Sequence, residues 1–266
     1  MGLDILCLKY ENYRGYDSMI EDYAKHAAIW DWDGFDNSEE YNYWRKYAEQ
    51  YGKKVLIPMC ALGQIGAYMA NSGFHVTAFD ITKEMINEGK KRFNTVPNLD
   101  LRVADICDFD FPEKGFDFCF IATQDLHLLT NIEMVRKAFK SISGHLRKGA
   151  CIALELVLPK FESYECPVRI FHPRVPNYID KNIWKESKNR YDSISKKQYI
   201  EQIVYIQDNK GIESFNYSVV LQYFERDEIL QALSYAGFSV IGEYTDRNKS
   251  HWTMSDKDWL IEAIKQ

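Results

Sequence analysis

Between residues 53 and 158 short apolar runs alternate with amphipathic ones, and this rhythm constrains the fold more than any other feature of the chain. KKVLIPM (53–59) reads as a strand and QIGAYMANSG (64–73) as a helix ended by Gly73. HVTAFD (75–80) is the next strand, followed by TKEMINEGKKRF (82–93), a helix with Thr82 as its N-cap. DLRVAD (100–105) and FDFCFIA (116–122) are strands, NIEMVRKAFKSI (131–142) carries Ile132, Val135, Phe139 and Ile142 on one helical face, and ACIALELVL (150–158) closes the series. Strands alternating with helices of this length predict βαβ units and a mostly parallel, doubly wound α/β sheet with helices on both faces. Nearly continuous apolar strands fit burial on both sides.

The flanking segments follow other rules. Residues 17–51 predict helices: Met19, Tyr23, Ala27 and Trp30 recur at helical spacing, and a second run holds Tyr41, Trp44, Tyr47 and Ala48. Turn residues 31–38 separate them, with Ser38 as an N-cap, and Gly52 ends the second helix. After Pro159, FESYECPVRIFHPRVPNYID reads as irregular chain. QYIEQIVYIQ (198–207) and IESFNYSVVLQYF (212–224) predict a hairpin turning at 208–211, followed by a helix ending at Gly237 and two further apolar runs (238–244 and 258–264). The organisation predicted is one domain over 1–266: a helical lid (1–52), a Rossmann-like core (53–158), and a substrate lid with a β-hairpin elaboration and sheet completion (159–266).

Composition narrows the possible functions. Of 266 residues 46% are hydrophobic, without the run of roughly 18 apolar residues that a membrane-spanning helix needs. The N-terminus has no basic leader, and Leu6 breaks the myristoylation pattern that Gly2 would start. A net charge of −6 argues against a nucleic-acid groove, which wants a basic face. The basic stretch 181–197 is interleaved with polar residues and reads as a solvated face. Six scattered cysteines (Cys7, Cys60, Cys107, Cys119, Cys151, Cys166) without CxxC spacing predict reduced thiols in a cytoplasmic protein, and no metal centre is expected. Aromatics are abundant at 15%, with 18 tyrosines, and many lie outside the strand-like runs.

In an open parallel sheet, ligands bind beyond the carboxyl ends of the strands, where strand order reverses. The first strand exits through Pro58-Met59-Cys60-Ala61-Leu62-Gly63-Gln64-Ile65-Gly66, and Asp80 ends the second strand. A small-residue turn lets backbone N–H groups approach a ligand, and an acid at that second strand end is placed to accept ribose hydroxyls. These features predict a nucleoside-containing cofactor. Ala61-x-Gly63-x-x-Gly66 is one substitution from GxGxxG, so a dinucleotide reader stays in play. Against it, Asp105 at the third strand's exit is placed to accept from an adenine amino group and Ile106 to pack on the ring, and the chain closes with a hairpin, a helix and a strand.

At these motifs the sequence resembles the class I S-adenosylmethionine-dependent methyltransferases over most of its length. VLIPMCALGQIG stands as motif I, VTAFD with TKEMI as motif II, and VADICDF as the adenine motif; FDFCFIATQDLHLL and LRKGACIALEL are similar to the fourth and fifth strands. EYNYWRKYAEQYGKKVL resembles the N-terminal helix of glycine N-methyltransferases and amino-sugar N-methyltransferases. Motif I departs from the family: Ile57-Pro58 stands where an acid is usual and Met59 and Ala61 replace glycines, although Pro58-Met59-Cys60 is similar to the Pro-x-Cys form of thiopurine methyltransferases. The resemblance implies S-adenosylmethionine as cofactor and S-adenosylhomocysteine as product. It implies Asp80 and Ile81 at the ribose, Asp105 and Ile106 at the adenine, and Met59, Ala61, Gly63 and Trp44 at the methionine portion. Tyr23 would lie near the methyl, with Ala122, Thr123, Gln124 and His127 between cofactor and acceptor.

Individual side chains carry two readings each. His127 is either a base for the incoming nucleophile or a packed histidine. Asp125 caps the following helix or binds an amine. Glu155, inside an apolar strand, faces the site or pairs with a cation. Arg169 and His172 either hold substrate from a lid or sit in solvent, and Trp30 and Tyr217, with Tyr23, Trp44 and Tyr223, line a pocket attractive to cations or simply pack. The function predicted is methyl transfer to a small-molecule acceptor, first at nitrogen. An NAD(P)-dependent oxidoreductase and a catalytically degenerate scaffold subunit are the alternatives; a homodimer is left open, and neither nucleic acid nor membrane is predicted as a partner.

Overall fold

The computed structural model describes residues 20–21, 23–32, 34, 37–158, 162–173 and 181–266. Met19, Cys7, Gly2 and Pro159, named above, lie outside the described residues.

The core is the alternating segment. Strands β1 (Lys54–Pro58), β2 (His75–Asp80), β3 (Leu99–Val103), β4 (Phe116–Ile121) and β5 (Leu146–Val157) are joined by β10 (Phe238–Tyr244) and β11 (Asp258–Lys265) in one sheet of order β10-β11-β5-β4-β1-β2-β3. β1 pairs in parallel with β2 on one side (Leu56 opposite Thr77) and with β4 on the other (Leu56 opposite Cys119), so strand order reverses at β1/β4. β11 runs antiparallel between β5 and β10. The fold is therefore the mainly parallel α/β architecture predicted, with one reversed strand near its edge.

Helices cover both faces because their apolar stripes do. Helices α1 (Ser38–Ala48), α2 (Gln64–Asn71) and α3 (Lys83–Arg92) bury Trp44, Tyr47, Met69, Ala70 and Ile86 against Val55, Ile57, Phe118 and Phe120 on one face. On the other, α4 (Ile132–His145) and α5 (Arg226–Tyr235) bury Val135, Phe139, Ile142, Ile229 and Leu233 against Leu56, Cys119, Ile152 and Leu154. The start of α4 is fixed by Asn131, whose side chain accepts from the Met134 N–H at 3.0 Å, and that of α5 by a capping box of Glu225 and Glu228.

The second sheet is larger than predicted. The hairpin of β8 (Lys197–Asp208) and β9 (Gly211–Gln222) forms where its turn residues placed it, but β6 (Tyr164–Phe171) and β7 (Asn182–Asp192) extend it to four antiparallel strands in the order β6-β7-β8-β9. Part of the segment predicted as irregular, and most of the basic stretch predicted as a solvated face, are thus strands. On β7, Lys188 pairs with Glu165 at 2.5 Å and Arg190 lies over the Tyr199 ring, so the basic residues are spent on neighbouring strands.

The segment before α1 links the two sheets. Ile29 and Trp32 pack on Ile183 and Val204 of the antiparallel sheet. Ala27, with Tyr23 and Trp30, packs on Ala61, Leu62 and Met85 of the core. Asp31 ties the segment down, accepting from Gln64 Nε2 and pairing with Arg92 at 2.5 Å. Among the described residues the cysteines are free thiols, and no helix is long and apolar enough to cross a membrane.

Candidate active site

The exits of β1, β2, β3 and β4 converge on one cavity, with about 620 Å³ of open space, roofed by the N-terminal segment and β9. Its floor holds Met59, Asp80, Ile81, Asp105 and Ile106, and its roof holds Tyr23 and Tyr217. The structure thus gathers five of the residues foreseen for a cofactor, together with two foreseen for the methyl and the acceptor. Asp125, Leu128 and Val219 complete the far wall, and none of the described residues lining the cavity is Lys, Arg or His.

Motif I keeps a glycine-rich loop's shape without all the glycines. Met59, Ala61 and Gly63 all have left-handed backbones, with φ of 55°, 50° and 82°. The two non-glycine residues occupy a region that costs an L-amino acid roughly 1–2 kcal/mol, so the turn is held by its contacts. Asp80 supplies one of them: one carboxylate oxygen accepts from the Ala61 N–H at 2.9 Å, while the other accepts from the Thr82 N–H at 2.9 Å and fixes the carboxylate's orientation. Gly63 is required twice over, because a Cβ at that position would stand 2.5 Å from Leu101 Cδ2. Ala61 and Gly63 consequently shape the turn, behind the residues that line the cavity.

Burial pushes the Asp80 carboxyl up from its ordinary value, while the two backbone donors pull it down. Each oxygen retains capacity for a further donor. Asp105 accepts from the Cys107 N–H at 2.8 Å, which orients its carboxylate at the β3 exit beside buried Ile106. Tyr23 stacks with Tyr217 at 6.1 Å and meets Trp30 edge-on at 5.2 Å. Its phenol is pushed well above its ordinary value by burial and by nearby Asp80, Tyr217 and Asp125, so Tyr23 is a neutral hydroxyl and an aromatic face.

Several predicted site residues belong elsewhere. His127 is buried on the short 3-10 turn Asp125–Leu128, and both ring nitrogens are engaged. Its Nδ1–H donates to the Gln222 carbonyl at 2.9 Å, and Nε2 accepts from the Val157 N–H at 3.0 Å. Burial lowers its pKa to about 4. The geometry replaces the reading of His127 as a base: it is a neutral cross-brace between β5, β9 and the turn. Trp44 is fully buried with its ring stacked on Phe120 at 4.4 Å, so it packs beneath β4 rather than against a cofactor. Ala122 packs on the same core cluster, and Gln124, left-handed at φ 66°, faces a separate polar cleft. Trp30 backs Tyr23 without lining the cavity, and Arg169 and His172 are exposed at β6. Glu155 takes its cationic alternative, paired with Arg247 through both oxygens at 2.7 and 3.1 Å.

Asp125 does not cap the following turn: it accepts from the Thr123 hydroxyl at 3.1 Å and lines the cavity. Leu128 and Val219 had no sequence signal beyond being apolar; only the docking of β9 over the β4 exit makes them walls.

The cavity fits S-adenosylmethionine, whose sulfonium and ammonium groups are cationic: three carboxylates and two tyrosine rings face it, and cations are drawn to both.

Known proteins point the same way. Residues 55–149 match the methyltransferase domain family. YqeM of Bacillus subtilis (strain 168), a relative assigned to the methyltransferases, is 24% identical over 148 residues; the match spans 54% of this chain and 55% of that protein, so about half of each is compared. Among solved structures, an S-adenosylmethionine-dependent methyltransferase from Clostridium acetobutylicum ATCC 824 superposes with a TM-score of 0.74 at 13% identity, over 91% of this chain and 98% of that one. The sugar N-methyltransferase KedS8 from Streptoalloteichus sp ATCC 53650 gives 0.71 at 14% identity over 100% and 99%. CalS10 from Micromonospora echinaspora, an amino pentose methyltransferase solved with S-adenosylmethionine bound, gives 0.63 at 18% identity over 97% and 100%. Residues 55–149 thus match a methyltransferase domain, and the chain as a whole has the fold of solved S-adenosylmethionine-dependent methyltransferases.

Proposed function

We propose that this protein transfers a methyl group from S-adenosylmethionine to a small molecule, with nitrogen as the accepting atom. The observation that carries the reading is the cavity at the β1/β4 reversal, acid-lined, aromatic-roofed and, among the described residues, without a basic side chain in its wall. Asp80 would hold the ribose, Asp105 and Ile106 the adenine, and Met59 the methionine portion; Tyr23 and Tyr217 would cover the transferring end. Trp30, Arg169 and His172 lie off the cavity and have no part in this assignment.

S-adenosylmethionine, when bound, supplies a methyl group already activated by its sulfonium. The chain's own work is then to position the acceptor in line and exclude water, which the roof of Tyr23 and Tyr217 does. A neutral amine needs no strong base in the transition state, in keeping with a site whose one histidine candidate is locked in a structural pair of hydrogen bonds. The sugar N-methyltransferases among the structural neighbours support nitrogen as the acceptor and a small molecule as its carrier. The organisation we propose is a single methyltransferase domain, with 1–52 and 159–266 enclosing the cofactor core 53–158.

An acceptor screen with methyl-labelled S-adenosylmethionine against amines, amino sugars and heteroaromatic nitrogens tests this, with the product's methylated atom located by mass spectrometry. Label on nitrogen is the predicted result. Label on oxygen or carbon alone would refute the choice of atom, and calorimetric binding of NADH in place of S-adenosylmethionine would restore the oxidoreductase.

A further inference from the structure

Once Asp80 and Asp105 are assigned to the cofactor, the cavity still contains a third carboxylate, and among the described residues its wall holds no Lys, Arg or His. Asp125 sits on the 3-10 turn after β4, at the end of the cavity formed by Tyr23, Tyr217, Leu128 and Val219. The charged and titratable groups around it are Asp80 at the end of β2, Glu155 on β5, Glu40 on α1, the Tyr23 phenol and the buried Cys60 thiol after β1. Arg247 reaches Glu155 at 2.7 Å and Glu40 at 3.3 Å, so its guanidinium is committed to those two acids. The turn that presents Asp125 is itself strained: Thr123 and Gln124, just before it, are successive left-handed non-glycine residues at φ 50° and 66°. A polypeptide keeps such geometry where surrounding contacts require it, and such outliers cluster at functional sites.

Resting on the methyl-transfer reading above, we propose that Asp125 is the acceptor-binding group of this cavity: its carboxylate takes the N–H of a small aliphatic amine, holds the ammonium ion against the Tyr23 and Tyr217 rings, and receives its proton before transfer. The chemistry balances without a further reactant. The amine's proton passes to an Asp125 oxygen and thence to solvent. The freed nitrogen lone pair then forms the N–CH3 bond as the C–S bond breaks, and that bond's electrons stay on sulfur, leaving an N-methylammonium and a neutral thioether. Burial, with Asp80, Glu40 and Glu155 adding to it, moves the Asp125 carboxyl up to about 7, which suits a group that must exchange a proton near neutrality. The apolar flank of Leu128 and Val219 favours an amine carried on a hydrocarbon skeleton over a heavily hydroxylated one.

The test uses benzylamine and its neutral counterpart benzyl alcohol. Each is titrated calorimetrically into the S-adenosylhomocysteine complex of the wild type, Asp125→Asn and Asp125→Glu, and benzylamine methylation is followed from pH 5.5 to 9. The wild type should bind benzylamine more tightly than benzyl alcohol, with kcat/KM rising through about pH 7. In Asp125→Asn that limb should vanish and kcat/KM should drop on the order of 100-fold, while Asp125→Glu should recover part of the amine affinity. Equal benzylamine affinity in the wild type and Asp125→Asn, no preference for the amine over the alcohol, or an unchanged pH limb would overturn the assignment of Asp125. Failure of the wild type to bind S-adenosylhomocysteine would instead remove the methyl-transfer reading beneath it.

Discussion

At the scale of single residues, the left-handed turn after β1 and the histidine after β4 carry the sharpest consequences. Met59 and Ala61 adopt backbone conformations suited to glycine. Replacing Ala61 by Gly therefore exchanges left-handed strain of roughly 1–2 kcal/mol for a backbone-entropy cost of roughly 0.5–1 kcal/mol. Urea denaturation should find the variant equal in stability or up to about 1 kcal/mol more stable. Gly63→Ala should lose at least about 2 kcal/mol, because strain and the Leu101 contact act together. The departures from the family's motif I are thus changes of composition within a kept geometry. Sequence alone could not separate the two, because φ is not written in residue type.

His127 makes the complementary point. Its place after β4 leaves a base and a packed histidine both open; its partners are Gln222 and Val157, 95 and 30 residues away along the chain, and only the fold brings them together. Its folded pKa of about 4 lies below the ordinary 6.5, so the unfolded chain takes up the proton first as pH falls. The stability it contributes is complete above about pH 6.5 and drains away toward pH 4, by roughly 3 kcal/mol. His127→Gln should be less stable than the wild type at pH 7 and should lose that part of the acid sensitivity, a difference that denaturation midpoints at pH 7 and 5 would reveal. Unchanged acid sensitivity in the variant would argue against the cross-brace.

Among whole elements, legibility follows burial. The strands β1, β2, β4 and most of β5 are buried and apolar enough to be read directly, β3 burying only Leu101, and Asp80, Asp105 and Ile106 inherit their place from the topology of those strands. β6 and β7 were hidden because their sheet is polar on much of both faces: along Asn182–Asp192 only Ile183 and Tyr191 are buried, so no period of two stands out. Trp44 shows the same limit in reverse, since an aromatic at helical spacing reads alike whether it faces a ligand or, as here, Phe120. The N-terminal segment is held over the cavity by Ala27 packing and by Asp31. An exposed pair of this kind is worth about 1 kcal/mol or less. Asp31→Ala should consequently leave the melting temperature nearly unchanged while accelerating amide exchange across residues 23–32 and weakening S-adenosylmethionine binding severalfold. Exchange rates matching the wild type would show that the segment does not depend on that anchor.

Taken whole, the molecule is a sheet that delivers strand ends to one side and a second sheet that roofs them. Its net charge of −6 describes little by itself, but three of its carboxylates face a single cavity, and that placement is what suits a cationic cofactor. The aromatic surplus divides between packing, as with Trp44, Tyr47 and Phe118, and the roof of Tyr23 and Tyr217. The account's central claim is that the cavity is an S-adenosylmethionine site anchored by Asp80, and calorimetric titration of S-adenosylmethionine into the wild type and Asp80→Ala tests it directly. The prediction is one molecule bound per chain, with affinity reduced about 30-fold or more in a variant that loses a charged acceptor yet still folds. No binding to the wild type, or equal affinity in the two, would contradict it.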